Sequence, residues 1–594
     1  MTAPIRSRAD RLAALRARLA AAGLAGFIVP RADEHLGEYV PAAAERLAWL
    51  TGFTGSAGMA AILPDRAAVF TDGRYALQLE AETDAALWER AHITEAPPPA
   101  WLARHAPKGE AIGYDPRLIG ADGLARFTEA GLEMRPLAAN PIDALWADRP
   151  APPAAPAVAH PLRFAGRDSA AKRAEIAAQL SAAGQDAAVI TDPASIAWLL
   201  NLRGADVPFV PVALGFALID AAGRVRLYMD PAKLSAETRA FLGNEVATEP
   251  PSALEGGLRG MRGLRVRVDP QGSPVWFAAI LREAGAMVVA GPDPCLLPKA
   301  LKNETEQAGA RAAHGRDAAA LCRFLHWLSV AGPSGTETEA SAAARLLSFR
   351  AALADFRGES FPAISGAGEH GAVIHYRVTP ETDRRIGANE AYLIDSGAQF
   401  PDGTTDVTRT VWTGPGPAPA RLRDHATRVL KGHIAVATLV FPAGTGGALL
   451  DSFARRALWQ AGLDYDHGTG HGVGSYLSVH EGPAGLSRLA RPVPLAAGMI
   501  LSNEPGLYLP GAYGIRLENL LLVRPADLPG ASRKFLAFET LTLAPFDRAL
   551  IEPGLLEPSE RAWVDAYHAR VLAEVGSALD PAARAWLAGA CAPL

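Results

Sequence analysis

Apolar residues recur at helical spacing at several points along this 594-residue chain. Leu12, Leu15 and Leu19, in an Arg-rich N-terminal segment, predict an amphipathic first helix. Leu321, Phe324, Leu325 and Leu328 predict one face of a longer helix over 306–330. Asn303, with Glu306 three residues on, is a capping-box signature for its start. Helical stretches are also expected over 336–356, 419–440 and 447–461. Between them lie β-rich, glycine-punctuated segments, and these hold the imidazoles and carboxylates that could do chemistry.

The first half of the chain repeats itself. A helix-like segment and an apolar strand candidate, GFIVP from Gly26, lead to AWLTGFTGSAG from Ala48. The same sequence of events recurs as AAVITD from Ala187 and AWLLNLRGADV from Ala197, with Trp49 and Trp198 about one domain length apart. Each is followed by a β-rich run, which reads as a duplicated α/β domain. The run ADRPAPPAAPAVAHP (147–161) is too proline-dense for a regular helix or a central strand and serves as a linker. A second boundary falls at 291–302. Three domains follow, 1–150, 160–298 and 300–594, in an α/β (α+β) fold class.

Composition narrows the function classes. With 58 Lys+Arg against 63 Asp+Glu, the net charge of −5 lacks the basic surplus of a dedicated nucleic-acid binder. No apolar stretch free of charge and proline is long enough to span a bilayer. The N-terminal segment lacks the uninterrupted apolar core of a signal peptide, and the Leu periodicity favours a domain helix over a transit peptide. Cys295, Cys322 and Cys591 show no metal or redox spacing, which suits a reducing, cytoplasmic location; Cys322 reads as a core residue on a helix face.

The candidate chemistry lies in the last domain. In AYLIDSGAQFPDGTTDVTRTVW, two β-like runs flank a turn at Phe400–Gly403. A turn centred near Pro401–Asp402 puts Asp395 opposite Thr408, with Asp406 a diagonal neighbour on the same face about 7–8 Å away. HGTGHGVGSYLSVHEGP carries His467, His471 and His480. The pair four apart superficially resembles a zinc helix, but the intervening glycines and the missing Glu exclude that reading; they indicate close backbone packing or a tight turn. SNEPGLY supplies Glu504. GIRLEN supplies Arg516 and Glu518, which share a strand face if the apolar–charged alternation holds, and AVIHYRV places His375 on an expected strand. Each acid taken singly is more often solvated than functional. Together, Asp395, Asp406, His471, Glu504 and Glu518 suit two divalent ions whose charge four carboxylates balance. His375, His467 and His480 then remain for proton transfer and oxyanion stabilisation.

The order of these ligands, with the His inside GTGHG and the last Glu inside GIRLEN, resembles the pita-bread metallopeptidases. The phrases IDSGAQFPDGTTDVTRT, GLDYDHGTGHGVGSYLSVHEGP and GAYGIRLENLLLV, with FTGSAG and FTDGRY upstream, resemble the three-domain cytosolic Xaa-Pro aminopeptidases (aminopeptidase P). The resemblance covers essentially the whole chain. It implies two creatinase-like N-terminal domains and a C-terminal pita-bread catalytic domain that removes the residue preceding a proline at the second position of a peptide. It further implies that Asp395 binds one metal, that Asp406 and Glu518 bridge both, and that His471 and Glu504 complete the second. By the same resemblance Glu504 accepts the proton of the attacking water, His375 and His480 contact the substrate and its oxyanion, His467 shuttles a proton and Arg516 orients a carboxylate. The family implies manganese and a homodimer; the ligand set alone also admits cobalt, iron or zinc. The rival readings are a prolidase restricted to dipeptides and a non-catalytic pita-bread peptide-binding protein.

Overall fold

The computed structural model describes residues 7–594; the start of the Arg-rich N-terminal segment, residues 1–6, lies outside them. The chain forms two compact units. One runs to His160 and resumes as Arg167–Leu296; the other combines Pro161–Gly166 with Leu297–Leu594. The short segment joins the second unit partly because Asn303 Nδ2 donates to the Ala165 carbonyl at 2.9 Å.

The first unit contains two six-stranded sheets with the same strand order. In each, the first strand in sequence pairs antiparallel with the second and parallel with the fifth. Gly26–Pro30 is central in one sheet and Ala187–Ile190 in the other. The parallel pairs require crossovers, and helices Ala121–Glu129 and Val275–Glu283 provide them at equivalent places. The two Ala-Trp-Leu steps form short helices, Arg46–Thr51 and Pro193–Leu200, that bury Trp49 and Trp198. The helix expected from Leu12, Leu15 and Leu19 is Arg8–Ala21, and all three leucines are buried. No helix or strand forms over 147–156; Ala157 then bridges to Leu234, and Val158–Ala159 pairs with Leu202–Arg203.

The longest helix of the second unit, the 28-residue Glu304–Ala331, has its Asn303–Glu306 capping box made in both directions. Leu321, Phe324, Leu325 and Leu328 pack with Leu346, Tyr392 and Ile394. Burying each such side chain favours folding by about 1.5–3 kcal/mol. Cys322 is fully buried in the adjoining core. Helices Glu339–Ala351, Ala420–Ala437 and Gly447–Trp459 follow. They flank a three-stranded sheet built on Ala391–Ser396 and a six-stranded sheet that includes Ile500–Asn503, Gly470–Gly472 and Asn519–Ala526. Among the described residues no helix is long and apolar enough to cross a membrane.

Two local expectations are corrected. His375 lies in a turn after the short 3-10 helix Gly368–Ala372, not on a strand. Arg516 ends the strand Tyr513–Arg516, so Glu518 does not share its ladder. The chain leaves that two-stranded ribbon at Leu517, and the Glu518 amide donates instead to Thr408 O at 3.1 Å before Asn519 enters the larger sheet.

Candidate metal centre

The hairpin carrying the first two carboxylates has the register expected from its turn. Asp395 lies opposite Thr408, and the short ladder Gln399–Thr404, Phe400–Gly403 continues to the turn. Asp406 immediately precedes the strand Val407–Trp412. Close packing requires Gly397 here, because a Cβ at that position would lie 2.1 Å from Thr405 O. The same reason explains the glycines beside His471, the middle residue of Gly470–Gly472. A Cβ on Gly470 would lie 1.9 Å from Ser502 O, and one on Gly472 would lie 2.1 Å from Glu481 O. Glu504 follows the end of Ile500–Asn503, and Glu518 sits at the junction of two sheets.

These strand ends bring the side chains together. Asp406, His471 and Glu518 each offer a ligand atom, all within 4.8 Å of one another. His471 Nε2 stands 3.5 Å from both Asp406 Oδ2 and Glu504 Oε1. His471 Nδ1 donates to Gly472 O at 2.9 Å, which leaves the Nε2 lone pair facing the carboxylates, as a metal ligand requires. Glu518 Oε2 accepts from Thr408 Oγ1 at 2.8 Å, and Asp395 Oδ2 from Arg516 Nη2 at 2.7 Å. Their other oxygens, Asp395 Oδ1 and Glu518 Oε1, are buried with no hydrogen-bond partner. Buried carboxylate oxygens are rarely left so, and a hard divalent cation is the partner that this donor set fits.

The electrostatics point the same way. Burial pushes Glu504 up to about 7, with Asp406 and Asp395 adding to it against the opposing charges of His471 and Arg516. Burial and three neighbouring carboxylates hold Glu518 well above the usual range. Burial likewise raises Asp395, in spite of Arg516. Burial alone would lower His471, yet Asp406 and Glu504 raise it to about 9. Without cations, the folded site therefore retains protons that the unfolded chain would release. Stability of metal-stripped protein is expected to fall as pH rises through about 4.5 to 9, and added Mn²⁺ should restore most of it at pH 8. Thermal melts across this range, with and without metal, check the sign; a flat metal-free profile would contradict it.

The remaining candidates surround this cluster. The His480 ring meets that of His471 edge-on, with centroids 4.3 Å apart. His375 is reached through its neighbour, since Ile374 O accepts from Arg516 Nη2 at 3.3 Å. His467 does not enter the cluster directly. Its Nε2 contacts Tyr508 OH at 2.9 Å, and that hydroxyl accepts from Arg516 Nη1 at 2.7 Å. A chain Asp395–Arg516–Tyr508–His467 results, and His467 Nδ1 donates to Gly468 O at 2.7 Å, which fixes the ring's orientation. The sequence reading missed Tyr508. Its signal lay in the ribbon formed by Gly506–Leu509 and Tyr513–Arg516, in which Arg516 pairs with Gly506 and so shares a face with Tyr508 two residues along. Arg409 was missed as well. It is fully buried and donates to the carbonyl of Glu518, to that of Thr408 and to Asn519 Oδ1, clamping the backbone that carries the last carboxylate.

Comparison with known proteins adds lineage to this geometry. Residues 308–525 match the model of metallopeptidase family M24, and 534–594 match its C-terminal region. Residues 11–143 and 148–306 each match a creatinase/prolidase N-terminal domain. Aminopeptidase P2 of Arabidopsis thaliana is 38% identical over 94% of this chain and 84% of its own. A probable Xaa-Pro aminopeptidase P of Laccaria bicolor is 39% identical over 98% of this chain and 93% of its own. Among solved structures, the X-prolyl aminopeptidase of Caenorhabditis elegans, described as a cytosolic enzyme with a dinuclear active site, superposes with a TM-score of 0.93. It is 34% identical, and the match covers 99% of this chain and all of that one.

Proposed function

This chain belongs to metallopeptidase family M24 and is an Xaa-Pro aminopeptidase with creatinase-like N-terminal domains and a pita-bread catalytic domain, and from that premise we propose how its residues perform the reaction. The observation that carries the reading is the convergence of Asp406, His471 and Glu518 beside Glu504 and Asp395, with two buried carboxylate oxygens otherwise unpartnered. Asp395, Asp406, His471, Glu504 and Glu518 hold two divalent cations, of which manganese is our choice. Bound there, such cations supply a water of lowered pKa as the nucleophile. Glu504, whose Oε1 lies 3.5 Å from His471 Nε2 at the edge of the cluster, takes the water's proton. His375 and His480 donate hydrogen bonds to the scissile carbonyl as negative charge develops on it. His467, held by Tyr508, is the proton shuttle, and Arg516 fixes the direction of Asp395.

The prolyl nitrogen explains why a dedicated enzyme is needed. It carries no hydrogen and its ring locks φ, so a general aminopeptidase fits it poorly. Substrates are peptides with proline second. We read the domains as 1–150, 160–298 and 300–594, and the location as cytoplasmic, in keeping with a chain of three cysteines, all buried. The enzyme acts as a homodimer. Support comes from the helix Gly447–Trp459, which exposes Leu449, Phe453 and Trp459, an apolar face of the kind that mediates association. Replacing both Leu449 and Phe453 by Asp is expected to yield monomers in sedimentation velocity; an unchanged sedimentation coefficient would reject this face as the interface.

The direct test is Arg-Pro-Pro hydrolysis by metal-stripped protein before and after addition of Mn²⁺. Release of free arginine only with metal is the expected result. Cleavage of the dipeptide Arg-Pro but not of the tripeptide would indicate prolidase selectivity, and no cleavage with metal shown to be bound would overturn the catalytic assignment.

A further inference from the structure

His375 occupies a turn, so no strand ladder sets the direction of its side chain. What holds that turn is a buried carboxylate outside the metal cluster. Glu339, in the first turn of helix Glu339–Ala351, is completely buried, although first-turn acids are ordinarily solvated. Its oxygens accept from Ala367 N at 2.7 Å, from His370 Nδ1 at 2.9 Å and from Tyr376 OH at 2.9 Å. One carboxylate thus ties the end of strand Ile364–Ala367, the following 3-10 helix Gly368–Ala372 and the residue next to His375. The His370 and Tyr376 rings pack with centroids 4.6 Å apart. Tyr376 is itself buried, and its hydroxyl lies 3.2 Å from a second, longer acceptor, Thr382 O. On the other side of His375, Ile374 O is held by Arg516. The imidazole is therefore bracketed by one neighbour fastened to the metal site and one fastened to Glu339.

We propose that Tyr376 and Glu339 are positioning residues that fix His375 against the substrate carbonyl, so that helix Glu339–Ala351 takes part in catalysis without touching substrate. The inference rests on the reading of His375 as a substrate-contacting group. A carboxylate accepting three charge-assisted hydrogen bonds from one loop is a strong local constraint. Small displacements of a group that acts in the transition state reduce turnover rather than binding.

The test is a double-mutant cycle on the Mn²⁺-loaded enzyme with Arg-Pro-Pro, using Tyr376→Phe, Glu339→Gln and His375→Ala. Tyr376→Phe is expected to lower kcat by about tenfold and to leave KM within about twofold. Metal content should stay at the wild-type level. In a His375→Ala background the same change should cost less than about twofold, because the group it positions is gone. Glu339→Gln, which keeps an acceptor for Ala367 N, provides the second variant should Tyr376→Phe lower the melting temperature, with the same non-additivity expected. An unchanged kcat in both variants, or equal losses with and without His375, would overturn the proposal. If His375→Ala alone leaves turnover intact, the role of His375 falls and the proposal with it. If His375→Ala is impaired but Tyr376→Phe and Glu339→Gln are not, only the positioning role falls.

Discussion

Replacing Asp406 by alanine is expected to reduce Arg-Pro-Pro turnover by about 10⁴-fold while stabilising the metal-stripped protein at pH 8. Both effects follow from its position. Asp406 stands 3.5 Å from His471 Nε2 and within the cluster that includes Glu518, so its loss deprives the site of a shared anionic ligand. Its charge also contributes to the raised pKa values of Asp395, Glu504 and Glu518. Removing that charge relieves repulsion among the remaining acids when no cation is present. Three measurements decide the matter: arginine release, bound metal by mass spectrometry, and the melting temperature without metal at pH 8. Turnover within tenfold of wild type would remove Asp406 from the metal site. A lower metal-free melting temperature would show that it serves the fold instead.

Glu504→Gln has the second largest expected effect, a fall in kcat of about 10²–10⁴-fold with KM little changed. Glutamine preserves shape and the acceptor that Ser502 Oγ contacts at 3.2 Å, but it cannot take a proton from water. Its side chain keeps 18% of its surface exposed against 5% for Asp406, so water reaches it more readily. The contrast with Asp406→Ala is diagnostic. The Gln variant should retain more metal, because Asp406, Glu518 and His471 remain. Wild-type turnover in a metal-loaded Glu504→Gln enzyme would exclude the proton-transfer role, and complete loss of metal would recast Glu504 as a ligand alone.

Several features were legible in the chain because they are local. The Leu321–Leu328 spacing, the Asn303–Glu306 cap and the turn at Pro401–Asp402 each involve residues a few positions apart, and helix periodicity and hairpin register are set at that range. The hairpin alone put Asp395 opposite Thr408. The reading erred where alternation was carried too far. Apolar–charged alternation continues from Arg516 to Glu518, but Leu517 is where the chain passes from one sheet to another. AVIHYRV has strand composition, yet Tyr376 turns inward to Glu339, and the segment forms a turn. Tyr508, Arg409 and Glu339 carried no sequence signal strong enough to stand out, since a Tyr, an Arg or a Glu takes its role from what it faces.

The sequence by itself determined the class of ligands, the order in which they occur, the duplicated N-terminal pattern and the chemistry such a ligand set can support. Tertiary structure alone decided which oxygens lie within reach of His471, which are left without partners, and how Asp395 connects through Arg516 and Tyr508 to His467. The reason is physical. Composition and periodicity record the preferences of neighbouring residues, whereas this metal site is assembled from strand ends spread over more than a hundred positions, and its electrostatics exist only once burial has removed the water between them.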